Sequence, residues 1–195
     1  MTNKYIVRIA LLSALAAILM LFEFPIPFVA PDFYKLDFSE VPIIIGGFMM
    51  GPIAGCIIEL VKVLLKFIIN GTVTAGVGEA ANFIVGCAFV VPAALIYKKN
   101  KTNRSMFIGL IVGILVMVAI AAVLNYAVLL PVYAKAFGVP IEAFVQIGGA
   151  INPMIVDLRA FILLAVVPFN IVKGILVSII SALLYNRIGK TLNRY

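Results

Sequence analysis

The sequence predicts an all-α, polytopic membrane protein with six transmembrane helices in a single domain spanning 1–195. The second helix is short and broken by Gly-Pro. Three observations lead there. The 195 residues are 65% hydrophobic and only 12% charged, with a mean hydropathy of +1.22, whereas a water-facing exterior demands more charge. The apolar residues come in continuous runs, not in the alternation of an outer-membrane barrel strand. The basic residues gather at the two termini and in one loop, the asymmetry of a chain oriented by the positive-inside rule.

Tyr5 to Phe24 is the first span, entered at Lys4 and Arg8. The small residues of Ala14-Leu-Ala-Ala17 suit a signal-peptide cleavage site, but the apolar run continues past them, which favours a retained helix. Ala10 and Ala14, with Ser13 and Ala17, place small side chains where another helix can approach closely. Pro25 and Pro27 end this span. From Phe24 to Glu40 runs a loop that combines Asp32, Asp37 and Glu40 with the rings of Phe24, Phe28, Phe33, Tyr34 and Phe38. It suits either an interfacial aromatic belt or a lid over a ligand, and its acids argue against permanent burial.

Val41 to Met50 is half the length of about 20 residues that crosses a bilayer, and Gly51-Pro52 breaks it. Freed backbone groups at membrane depth are tolerated only inside protein or beside a cavity, so this segment marks a site. Ile53 to Asn70 is the third helix. Its Glu59, Lys62 and Lys66 are spaced to share a face, where Glu59 can pair with Lys62. A turn at 70–78 leads to the fourth helix, Glu79 to Tyr97, and residues 98–104 form a basic loop. Met106 to about Pro131 is the fifth span. A polar-interrupted connection with Gln146, Asn152, Asp157 and Arg159 leads to the sixth, Phe161 to about Ile188.

Six spans put both termini on one side. Assigned to the cytoplasm, that side holds Lys4, Arg8, the basic residues of 98–104, Arg187, Lys190 and Arg194. The net charge of +7 is thereby explained by topology, and no basic patch interleaved with aromatics speaks for nucleic acid. There is no histidine, and Cys56 and Cys87 sit inside apolar runs as small packing residues. No metal site and no cofactor are expected. The phosphate-cradling, zinc-protease and nucleophile-elbow motifs are absent, so the chain is not read as an enzyme.

What remains is polar side chains at one level of the bundle. Asn125 is near the end of the fifth helix, Asn170 and Lys173 share a face of the sixth, Glu79 and Asn82 open the fourth, and the loop with Asp37 reaches the same level. Amides and an ammonium can match the alternating carbonyl and N–H edge of a flat heterocycle, with nearby rings to stack on it. Each residue taken singly is more often a helix–helix hydrogen bond. Their shared depth is what brings in a ligand.

Leu36-Asp-Phe-Ser-Glu-Val-Pro-Ile-Ile-Ile-Gly-Gly-Phe-Met-Met-Gly-Pro-Ile-Ala-Gly55 resembles the signature of the riboflavin-binding S components of energy-coupling factor (ECF) vitamin transporters. Gly78-Glu-Ala-Ala-Asn-Phe83, Asn125-Tyr126 and Pro168-Phe-Asn-Ile-Val-Lys-Gly174 fit it too. The resemblance implies a non-enzymatic subunit that binds riboflavin from outside, in a pocket closed by the first loop. Asn125, Asn170 and Lys173 would then hold the isoalloxazine edge, and Asp37, Glu79 and Asn82 complete the binding set. It further implies that Ala10 and Ala14 dock on a transmembrane T component, and that two partner ATPases hydrolyse ATP. An S component for another vitamin is the nearest alternative, and a self-sufficient secondary transporter the more distant one. The latter usually shows internal repeats and acids for a coupling ion; no repeat is visible, and Glu59 is the one acid deep in a span.

Overall fold

In lipid, backbone polar groups bond within their own segment, so apolar sequence becomes helix wherever proline or glycine does not intervene. The computed structural model describes residues 3–72 and 74–189. Its helices are α1 (Asn3–Leu21), α2 (Glu40–Met50), α3 (Pro52–Asn70) and α4 (Val77–Asn100). They continue with α5 (Asn103–Phe137), α6 (Ile141–Ile151) and α7 (Leu158–Arg187). Four of these, α1, α4, α5 and α7, are long and apolar enough to cross a membrane. Helix α3 has the length but carries Glu59, Lys62 and Lys66. Outward-facing Leu115, Val123, Leu163, Ile179 and Leu183 are exposed and apolar, as lipid contact requires.

The α2–α3 break is sharp. Gly51 has φ +96°, a left-handed backbone that disfavours any side chain, and Pro52 opens α3 at a position where its missing N–H costs nothing. Helices α4 and α5 approach each other closely. A Cβ on Gly109 would meet the Ala93 carbonyl at 2.6 Å, and one on Gly113 the Phe89 carbonyl at 2.7 Å, so glycine at both sites permits the approach.

Where sequence and structure differ, the cause is local. The basic segment 98–104 is no loop. Helix α4 runs on through Asn100, and α5 starts at Asn103 behind a capping box of Thr102 and Ser105, leaving two residues of turn. The polar connection after α5 contains α6, whose buried Phe144 and Gly148 sit four apart on its inner face. Gln146, Asp157 and Arg159 are exposed. In α1, Ser13 and Ala17 are buried against the bundle while Ala10 and Ala14 face outward, so the four small residues divide between two faces. Cys56 and Cys87 are free and only half-buried. Lys190 and Arg194 lie outside the described residues.

Among the described residues, π-helix ends α7 at Tyr185–Gly189 and interrupts the long helices at two further places, Asn125–Leu129 in α5 and Ile162–Val166 in α7. Each of these two interruptions is followed within two residues by a helix-internal proline, Pro131 and Pro168. A proline ring clashes with the carbonyl one turn earlier, and a widened turn relieves that clash. Between α1 and α2, residues 22–39 form a strap. It is pinched by a two-residue antiparallel pairing, Phe24 opposite Leu36 (β1, Phe24–Pro25; β2, Lys35–Leu36). Ile26, Ala30 and Leu36 of the strap pack with Leu130, Phe144, Phe161 and Phe169 in a core of their own, separate from the one between α2, α4 and α5.

Candidate ligand-binding site

A cavity of about 470 Å³ lies between the strap, α3, α4, α5 and α7. All six residues singled out for ligand binding, Asp37, Glu79, Asn82, Asn125, Asn170 and Lys173, line it. A second cleft of about 200 Å³ lies beside Phe28, Asn152 and Leu164; no charged side chain lines it.

The two asparagines stand at the π-turns. Asn125 opens the α5 widening, and Asn170 follows the α7 widening by one turn. Each is buried, and each donates an Nδ2 proton one turn back, Asn125 to the Ala121 carbonyl and Asn170 to the Val166 carbonyl, both at 2.8 Å. That bond fixes which end of the amide is nitrogen, because the flipped amide would set oxygen against oxygen. An amide retains one further N–H and its oxygen lone pairs, so the pair presents both donors and acceptors to the cavity. Asn125 Oδ1 accepts a 2.6 Å bond from the Tyr34 hydroxyl.

Lys173 lies one turn below Asn170 on α7 and donates to Asp37 Oδ2 at 3.2 Å. Asp37 Oδ1 accepts from the Ser39 backbone N–H at 2.8 Å. Burial alone would raise the Asp37 carboxyl, but the ammonium groups of Lys173 and Lys62 outweigh it and bring its pKa down to about 2. Deeper in the bundle, Lys62 bonds Glu59 at 2.7 Å and Glu40 at 3.0 Å, all three essentially inaccessible. Asp37 and Glu40 are thus buried against lysine partners, contrary to the expectation from their charge, while Asp32 of the same segment stays exposed. Pairing makes burial tolerable, whereas removing one partner of such a pair costs about 3–5 kcal/mol.

At the far wall, Glu79 accepts from Thr72 Oγ1 at 3.0 Å. Asn82 lines the same wall, and its Oδ1 is buried with no hydrogen-bond partner among the described residues. Aromatic rings close the strap side. Tyr34 lies 5.6 Å from Phe169 and 6.3 Å from Phe161, and Phe33 meets Phe144 edge-on at 5.6 Å.

Residues 4–185 match the family "ECF transporter, substrate-specific component". The chain belongs to this family. As an S component it is 38% identical to riboflavin transporter RibU of Staphylococcus aureus (strain TCH60), over 98% of this chain and 94% of the relative. It is 34% identical to riboflavin transporter FmnP of Bacillus subtilis (strain 168), over 95% and 92% of the two chains. The solved structure described as "Structure and mechanism of the S component of a bacterial ECF transporter" superposes with a TM-score of 0.76 at 37% identity. That match covers 97% of this chain and 98% of the other.

Sequence reasoning for this S component missed several lining groups. Thr74 and Tyr133 are ordinary residues of a turn and a helix, and no spacing signals them. The apolar run of the first span, Tyr5 to Phe24, takes in Glu23. That acid stands beyond α1 at the cavity rim, held between Lys35 at 3.0 Å and Lys66 at 3.1 Å. Tyr34 was one of five loop aromatics with nothing to distinguish it. Its contact with Asn125 spans 91 positions of sequence.

Proposed function

We propose that this S component binds riboflavin in the cavity between the strap, α3, α4, α5 and α7, and carries it across the bacterial plasma membrane together with a T component and two ATPase subunits. The observation that carries the reading is the convergence of Asn125, Asn170 and Lys173 on one wall, facing the aromatic side of the strap. The pyrimidine edge of a flavin alternates carbonyl, N–H and carbonyl. It needs donors flanking an acceptor, and two amides and an ammonium supply them. The names of the 38% and 34% identical relatives support the same ligand.

The proposed topology has six crossings. Five of the six are helices α1, α3, α4, α5 and α7, and α2 is counted as the sixth, the short member of a hairpin with α3. Both termini are cytoplasmic. Lys4, Arg8, Lys98, Lys99, Lys101, Arg104 and Arg187 then share the inner side. The outward Ala10 and Ala14 of α1 form the docking face for the T component, since small side chains let another helix approach.

Protein purified in detergent from a riboflavin-containing medium is expected to be yellow and, after stripping, to quench added riboflavin fluorescence at one equivalent. Thiamine and biotin are the controls. Saturable binding of either control, with none of riboflavin, would overturn the ligand assignment.

A further inference from the structure

We infer that Tyr34 is a positioning residue of the binding site: its hydroxyl fixes the Asn125 carboxamide, and the same bond ties the strap to the wall that reads the ligand. This rests on the riboflavin reading above and adds a residue to it.

Asn125 is held at both ends. Its Nδ2 donates to Ala121 at 2.8 Å and its Oδ1 accepts from Tyr34 at 2.6 Å. Asn170 has one such hold, from its Nδ2 to Val166; among the described residues no second one is made. An amide fixed at both ends cannot turn to suit a wrong ligand edge, and it keeps one N–H and one lone pair free for the right one. The hydroxyl is delivered by a built wall. The Tyr34 ring packs between Phe33 at 4.8 Å and Phe169 at 5.6 Å, and its backbone N–H bonds the Pro31 carbonyl at 2.8 Å. Burial pushes the Tyr34 hydroxyl well above its ordinary pKa, so it stays a donor at every physiological pH. Asp37, three residues on, makes a further polar contact, with Lys173 of α7, beside the one from Glu23 to Lys66 of α3. The strap therefore grips one group on α5 and one on α7, and a ligand held by those groups is retained only while the strap is in place.

The test is a double-mutant cycle of Tyr34→Phe and Asn125→Ala, with riboflavin as the probe. Tyr34→Phe keeps the ring and so the packing. It is expected to speed riboflavin dissociation about tenfold with little change in association rate. The double variant is expected to bind no more weakly than Asn125→Ala alone, because Tyr34 acts through Asn125. Additive losses, or a wild-type dissociation rate in Tyr34→Phe, would overturn the inference. Hydrogen exchange without ligand keeps the outcome separate from the ligand assignment. In riboflavin-free protein, Tyr34→Phe should accelerate exchange at residues 33–38, and unchanged rates there would sink the tether even if riboflavin proved not to bind.

Discussion

Asn170 and Lys173 stand three residues apart on α7, so one turn of helix delivers an amide and an ammonium to the same wall. Truncating either to alanine leaves a buried ligand group unpaired, at a cost of about 1–3 kcal/mol. Asn170→Ala and Lys173→Ala should each weaken riboflavin binding by about 5- to 150-fold with the helical circular dichroism unchanged; wild-type affinity in a fluorescence titration would remove the residue from the site. Asp37 sets a pH dependence of definite sign. Its carboxyl falls from 3.8 to about 2 on folding, so its contribution is complete above the higher value and is lost as pH falls through the lower. Binding followed from pH 8 to pH 5 should show no step that Asp37→Asn abolishes. A step in that range that vanishes in the variant would mean that Lys173 does not hold Asp37 as described.

The strap is the element whose role sequence left most open, because aromatics beside acids suit a membrane belt and a lid alike. Folding resolves part of this. Leu36 and Asp37 are buried while Phe28 is 82% exposed, so one stretch of 22–39 faces the cavity and another faces outward. Bound riboflavin should protect residues 33–38 from hydrogen exchange and Lys35 from trypsin, and equal rates with and without the vitamin would mean that another element closes the pocket. The helices themselves were legible from apolar runs and Gly-Pro breaks, and α2 begins within one residue of its expected start. Helix α6 was not, since eleven residues with Gln146 at their centre and glycines at 148 and 149 carry too little periodicity to separate helix from loop. The π-turns were equally hidden. A proline marks a disturbed helix, but whether it kinks or widens depends on what packs against it.

For the whole molecule, the site was legible as a common level of polar residues, because the start of α4 and the interiors of α5 and α7 beside their widened turns meet there. The partners that orient those residues were not, since Tyr34 with Asn125 and Lys62 with Glu40 pair over 91 and 22 positions. The outer surface carries its own expectation. Ala10 and Ala14 face outward without bearing on the cavity, so leucine at both should leave riboflavin affinity intact while blocking uptake and T-component pull-down. Retained uptake would dissociate this face from assembly.

The buried ion pairs on α3 also bear on how the protein is made. A charge at the centre of a helix adds about 2.5–3.5 kcal/mol to its insertion from the translocon, so α3 with Glu59, Lys62 and Lys66 is a poor substrate by itself. Helix α2, at 11 residues, spans about 16 Å, half of the hydrocarbon layer. The tight turn at Gly51 and the bond from Lys62 to Glu40 join these two deficient segments into one acceptable unit. The expected consequence is that α2 and α3 enter lipid together as a hairpin with their charges matched, and that neither inserts efficiently alone.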